Sequence, residues 1–95
     1  MPATIGVLTV EIRVEASHSL KEKRHVVKSL IERLKSKFNV AVAEIDGQET
    51  WQWSVVAATT VSSERSHCER MLRAVEDECA GLLGGYLVRA DMEFF

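Results

Sequence analysis

The side chains best equipped for chemistry lie in one short stretch, Ser17-His18-Ser19-Leu20-Lys21-Glu22-Lys23-Arg24-His25, continued by Lys28. Lysine and arginine at this density recognise anions, phosphate above all, because each cation displaces a condensed counterion from a polyanion. Between His18 and Phe38 seven Lys/Arg stand against two Glu, a balance of +5. Elsewhere five Lys/Arg face twelve Asp/Glu, a balance of −7, so the net charge of −2 conceals a strongly uneven distribution. The candidate anion- or nucleic-acid-binding residues are Lys21, Lys23, Arg24 and Lys28. Trp51, beside a turn-forming stretch, is a candidate stacking surface, although burial beneath the loop is the expected use of so large an apolar ring.

The basic residues sit on a helix. At about 100° per residue, Lys21, Arg24, His25, Lys28 and Lys35 share a sector about 100° wide, while Lys23 points off it. Like charges at Lys21–Arg24 and Arg24–Lys28 cost the helix roughly 0.2–0.5 kcal/mol each. Cations near a helix N-terminus also oppose its dipole. Breaking local rules without a gain visible in the sequence points towards function. The competing reading is structural: these cations are merely solvated, or face Glu44, Asp46 and Glu49 in this chain or a partner.

Other chemistries find less support. The three histidines lack metal-ligand spacing, and adjacent helical positions such as His67 and Cys68 diverge too far to share an ion. The loop Ala16–Ser19 contains no thiol pair for carrying a metal. No glycine lies between Gly6 and Gly47 to build a phosphate cradle after the first strand. No catalytic constellation, metal or cofactor is expected. Cys68 and Cys79, eleven residues apart in one helix, are separated by about 16 Å of rise and are expected to be free thiols, as in a reducing cytoplasm.

The elements that position these residues follow from periodicity. Thr4–Val14 alternates as a strand, with Leu8, Val10, Ile12 and Val14 inward and Ile5, Val7, Thr9, Glu11 and Arg13 outward. Ser19 and Glu22 form a capping box for an amphipathic helix over Leu20–Lys37, whose apolar residues recur from Val27 to Phe38. Val40–Ile45 and Trp53–Val61 are strands joined by a turn beginning at Asp46-Gly47. Ser62-Ser63 opens a second helix, with Gly81 as its left-handed C-cap. Tyr86, Val88, Ala90, Met92 and Phe94 then alternate with Arg89, Asp91 and Glu93. The order βαββαβ, with right-handed crossovers, is α+β and ferredoxin-like: one four-stranded antiparallel sheet with both helices on one face. Residues 1–95 are expected to form a single domain.

On that sheet the first and third strands should be central. The first has no aromatic and the third only Trp53, so base stacking on the sheet is disfavoured. The third strand is apolar at both parities, which calls for cover on both faces. A second copy on the open sheet face, giving a two-fold homodimer, is the expected cover.

The segments "SLKEKR", "VVKSL", "FNVAVAEID" and "WQ" resemble the YlxP-like family, small bacterial proteins of unknown function, and the resemblance runs from about Ile5 to Glu93. It implies the ferredoxin-like fold. It also implies a connection with translation, since genes of this family often neighbour those for translation initiation and ribosome maturation. The family supplies no established catalytic or binding residues. Many members carry a further basic residue where His25 stands here, which would weaken this patch near neutral pH.

The expected function is therefore a non-catalytic RNA- or ribosome-associated binding module that uses its basic first helix. The alternative is a homodimeric protein-interaction module whose basic face binds an acidic protein. No signal peptide and no membrane-spanning run is read in the sequence, and a cytoplasmic location is expected.

Overall fold

The computed structural model describes residues 2–15 and 17–95; Met1 and Ala16, the first residue of the thiol-free loop, lie outside the described residues. The chain runs β1 (Thr4–Arg13), α1 (Leu20–Lys37), β2 (Ala41–Asp46), β3 (Trp53–Ser62), α2 (Arg65–Leu83), a short 3-10 turn (Gly84–Tyr86) and β4 (Leu87–Phe94). The strands form one sheet in the order β2-β3-β1-β4, and every neighbouring pair is antiparallel. This is the ferredoxin-like architecture, with β1 and β3 central.

Alternation on the central strands drives the packing. Leu8, Val10 and Ile12 of β1 and Val56 and Ala58 of β3 are buried beneath Val27, Leu30 and Leu34 of α1 and Leu72, Val75 and Cys79 of α2. Each large aliphatic buried this way contributes roughly 1.5–3 kcal/mol. The opposite face of the sheet is uncovered in the single chain. Val7, Thr9, Val55, Ala57 and Thr59 are half-buried there, while Ile5 and Val61 are exposed.

The ends of the elements depart from expectation in instructive ways. Ser19 caps α1 by accepting from the Glu22 backbone N–H at 3.1 Å, but the Glu22 carboxylate accepts from the His18 N–H at 2.7 Å, one residue before the capping-box position. Gly81 lies inside α2; the chain leaves the helix at Gly84, where φ is +54°. The register of β4 slips between Glu11 and Ile12. That bulge turns Leu87 inward and leaves Val88 exposed, so Val88 does not join the inward row. A bulge inserts one extra residue and flips the parity beyond it, which simple alternation does not register.

Candidate functional site

The first turns of α1 contain two kinds of cation. Lys23 was expected among the anion-binding residues and is instead buried, with no exposed surface. Its ammonium donates to Glu44 Oε2 at 3.1 Å, to the Gly47 carbonyl at 2.7 Å and to the Trp53 carbonyl at 3.4 Å. Three donors therefore meet three acceptors, which is the full capacity of an ammonium group. The same Glu44 oxygen accepts from the Ser54 hydroxyl at 2.5 Å. Lys23 cannot reach an external phosphate: its position i, with Val27 at i+4, Leu30 at i+7 and Leu34 at i+11, falls in the helix's buried stripe. Gly47 makes the arrangement possible. Its φ is +78°, and a Cβ there would lie 2.6 Å from the Trp53 carbonyl oxygen.

The other cations of α1 divide between its two flanks. On the side towards α2, Arg33 Nε and Lys37 Nζ meet the Glu78 carboxylate at 2.9 and 2.6 Å. The hydrogen bond from Lys37, followed by that from Arg33, holds the Glu78 carboxyl below its ordinary range. On the outward side Lys21, Arg24 and Lys35 are exposed and make no ion pair among the described residues. Lys28 reaches only Glu32, at 4.0 Å with both side chains well exposed, a pairing worth a few tenths of a kcal/mol at most. Glu44 is taken by Lys23 and Ser54, and Asp46 Oδ1 accepts from the Gly47 N–H at 2.8 Å. Among the described residues, Glu44, Asp46 and Glu49 of the β2–β3 hairpin make no salt bridge to the outward row.

Arg24, Lys28 and Lys35 border an open groove of about 410 Å³ between α1 and the edge strand β2, which Val27, Ile31, Glu32 and Glu44 also line. From Lys21 to Lys35 the row extends about 21 Å along the helix. Lys35 was seen in the sequence as part of the exposed sector and joins Lys21, Arg24 and Lys28 in this site. His25, at the far edge of that sector, instead borders a separate depression with Leu82 and Tyr86.

The hairpin loop is tied to the start of α1. Besides the bonds from Lys23, the Gln52 side-chain amide donates to the carbonyls of Glu15 and Ser17 at 3.1 and 3.3 Å. The Val14 N–H donates to the Gln52 carbonyl at 2.9 Å. Between these anchors Trp51 is 56% exposed, so the expectation that it packs beneath the loop is not met. β3 begins at Trp53, and strand periodicity does not extend back to Trp51. Trp53 is half-buried, and its indole N–H donates to Glu11 Oε2 at 2.7 Å. The lone aromatic on the central strands is thereby engaged within the chain.

Elsewhere the described residues contain no group of three or more His, Cys, Asp and Glu able to hold a metal ion. Cys68 and Cys79 are free and fully buried, and burial, reinforced by Glu76 and Glu78, pushes the Cys79 thiol up to about 11. No helix among the described residues is long and apolar enough to cross a membrane.

Comparison with known proteins agrees with this architecture. Over its whole length the chain is similar to a dimeric protein of unknown function and ferredoxin-like fold from Bacteroides fragilis, with a TM-score of 0.65 at 12% identity, covering 96% of that chain. It is similar to the de novo designed protein Foldit4, with a TM-score of 0.59 at 14% identity over 98% of this chain and 96% of that one. At such identities the likeness concerns the fold alone, and a designed protein that shares it shows how little the fold says about function. In sequence, the chain is 41% identical over 71 residues to the uncharacterized protein YlxP of Bacillus subtilis (strain 168), covering 75% of this chain and 77% of that protein. Residues 5–91 match the sequence pattern of a protein family of unknown function, and the chain belongs to that family, DUF503.

Proposed function

We propose that this protein is a non-catalytic RNA- or ribosome-associated module that binds phosphates along the outward row of α1, through Lys21, Arg24, Lys28 and Lys35. The observation that carries the reading is selective pairing. Lys23 is matched to a carboxylate inside the fold, and Arg33 and Lys37 to one on α2 at the surface, whereas Lys21, Arg24 and Lys35 meet none among the described residues. Cations left without partners on one helical face, in a chain of negative net charge, focus positive potential where a polyanion can dock. The groove beneath the row gives a phosphate backbone a track to follow.

The test is binding of a labelled, mixed-sequence RNA by fluorescence anisotropy, comparing the native chain with Arg24→Glu/Lys28→Glu. The substitution should weaken binding of unrelated sequences alike, because phosphate contacts carry no sequence information. Equal binding by both chains would refute the assignment. Recovery of an acidic protein on this face, in a complex that survives nuclease, would replace RNA with protein as the partner.

A second reading concerns assembly and is compatible with the first. The open sheet face, with Val7, Val55, Ala57 and Thr59 half-buried at its centre, fits a second copy, and the Bacteroides fragilis protein of the same fold is described as dimeric. Sedimentation should then give twice the chain mass, and Ala57→Arg should reduce it to one.

A further inference from the structure

We infer that Trp51 is a stacking platform for an unpaired base, which makes the preferred ligand of the basic row single-stranded rather than duplex RNA. This rests on the RNA reading above and adds a second, uncharged contact to it.

The inference starts from an exposed indole on a backbone that is held in place. An aromatic ring left in solvent forgoes the burial that usually makes it stabilising. A loosely held loop could expose Trp51 incidentally, but the residues on both sides of it are fixed. The Thr50 hydroxyl lies 2.7 Å from the Trp53 carbonyl and 3.0 Å from the Gly47 carbonyl, with one hydrogen to donate between them, and its N–H donates to the Gly47 carbonyl at 3.1 Å. Gln52 is bound to the β1–α1 loop on the other side. Trp51 therefore stands on a small platform built by its neighbours' hydrogen bonds.

The platform is also tied to the helix that carries the cations. Lys23 lies between Lys21 and Arg24 in the first turns of α1, and its ammonium bonds the carbonyls at both ends of the segment that carries Trp51, Gly47 and Trp53. The buried lysine thereby ties the segment that carries the exposed tryptophan to the first turns of α1. A strand whose phosphates follow Lys21, Arg24 and Lys28 brings a base to the indole only if that base is free to leave its own stack. Duplex RNA keeps its bases paired inside and offers only the phosphate contacts. Stacking on an aromatic side chain beside a basic groove is the usual physics of single-strand binding. Lys23 and Gln52 act here as positioning residues for the platform.

The experiment uses the full chain and oligoribonucleotides of about 12 nucleotides, inside the usual site sizes of about 4–16. Three probes share one sequence: a single strand, its blunt duplex, and a single strand with scattered abasic positions, which keeps the phosphates and removes bases. The native chain should prefer the intact single strand over the abasic one by at least about fivefold, as expected for one stacked base. Trp51→Ala should bind both equally, at the native chain's abasic affinity, and Trp51→Phe should restore a preference. Lys21→Glu/Arg24→Glu should weaken all three probes. If Trp51→Ala keeps the native preference while the charge reversals still weaken binding, the stacking role is overturned and the phosphate row stands. If Trp51→Ala instead alters the sedimentation mass without changing base discrimination, Trp51 belongs to an interface between copies and the inference fails. If the native chain binds none of the probes, the RNA reading itself falls.

Discussion

Two flanks of one helix use the same chemistry to different ends. On the flank towards α2 and in the buried stripe, each cation of α1 has a partner: Arg33 and Lys37 share Glu78, and Lys23 sits between Glu44 and two carbonyls. Where α1 faces outward, Lys21, Arg24 and Lys35 have no carboxylate within salt-bridge distance among the described residues, and Lys28 has only a distant, solvated one. The difference teaches that a basic segment cannot be read as a single site. Charges matched inside the fold are architecture, and only the unmatched ones remain free to recognise a ligand.

The sharpest way to break that contrast is to remove the buried partner. Lys23→Met should lower the unfolding free energy by about 3 kcal/mol, because truncating one member of a buried pair leaves the other charge uncompensated. Urea denaturation measures this, and a second substitution at Glu44→Met should recover part of the loss. By contrast, Lys21→Met should leave the midpoint nearly unchanged, as surface changes do. An effect of similar size at both positions would erase the distinction between the flanks.

Next in size is the outward row. Arg24→Glu/Lys28→Glu should reduce RNA affinity more than about tenfold at about 0.1 M salt while leaving the melting temperature close to native. The corresponding change on the inner flank, Glu78→Gln, should do the reverse, with a small fall in melting temperature and no change in binding. Its pH dependence has a defined sign. Because its hydrogen bonds depress the Glu78 carboxyl, the contribution is complete above the ordinary value of 4.5 and disappears as pH falls through the lower folded value. The native and Glu78→Gln melting curves should therefore converge in acid. The smallest effect lies in the core. Cys79, raised to about 11 by burial, should resist iodoacetamide at about pH 8, as should Cys68, until denaturant exposes them.

Much of this organisation was legible in the sequence because burial imposes period. The inward row of β1 and the bounds of α1 follow from alternation, helical spacing and the Ser19 cap, and the central place of β1 and β3 follows from the βαββαβ order with right-handed crossovers. Lys23 was misread because residue type outweighed position. Its spacing to Val27, Leu30 and Leu34 placed it on the buried stripe, and Glu44, two residues after the inward Val42, supplied a carboxylate on the facing side. What could not be read was the hairpin loop. The exposure of Trp51 depends on hydrogen bonds from Thr50, Gln52 and Lys23, which are contacts in space that leave no periodic trace. The displaced C-cap at Gly84 and the bulge before Val88 have a similar origin, since several glycines and parities were locally acceptable and tertiary packing selected among them.

In the proposed function the outward row, and not the whole basic segment, meets phosphate. The salt dependence of affinity for a single-stranded RNA tests this most directly. Four phosphates neutralised by Lys21, Arg24, Lys28 and Lys35 predict that log K falls with log salt at a slope of about −3, and that Arg24→Glu/Lys28→Glu brings the slope to about half. A slope near zero, or a slope that those substitutions leave unchanged, would contradict the account.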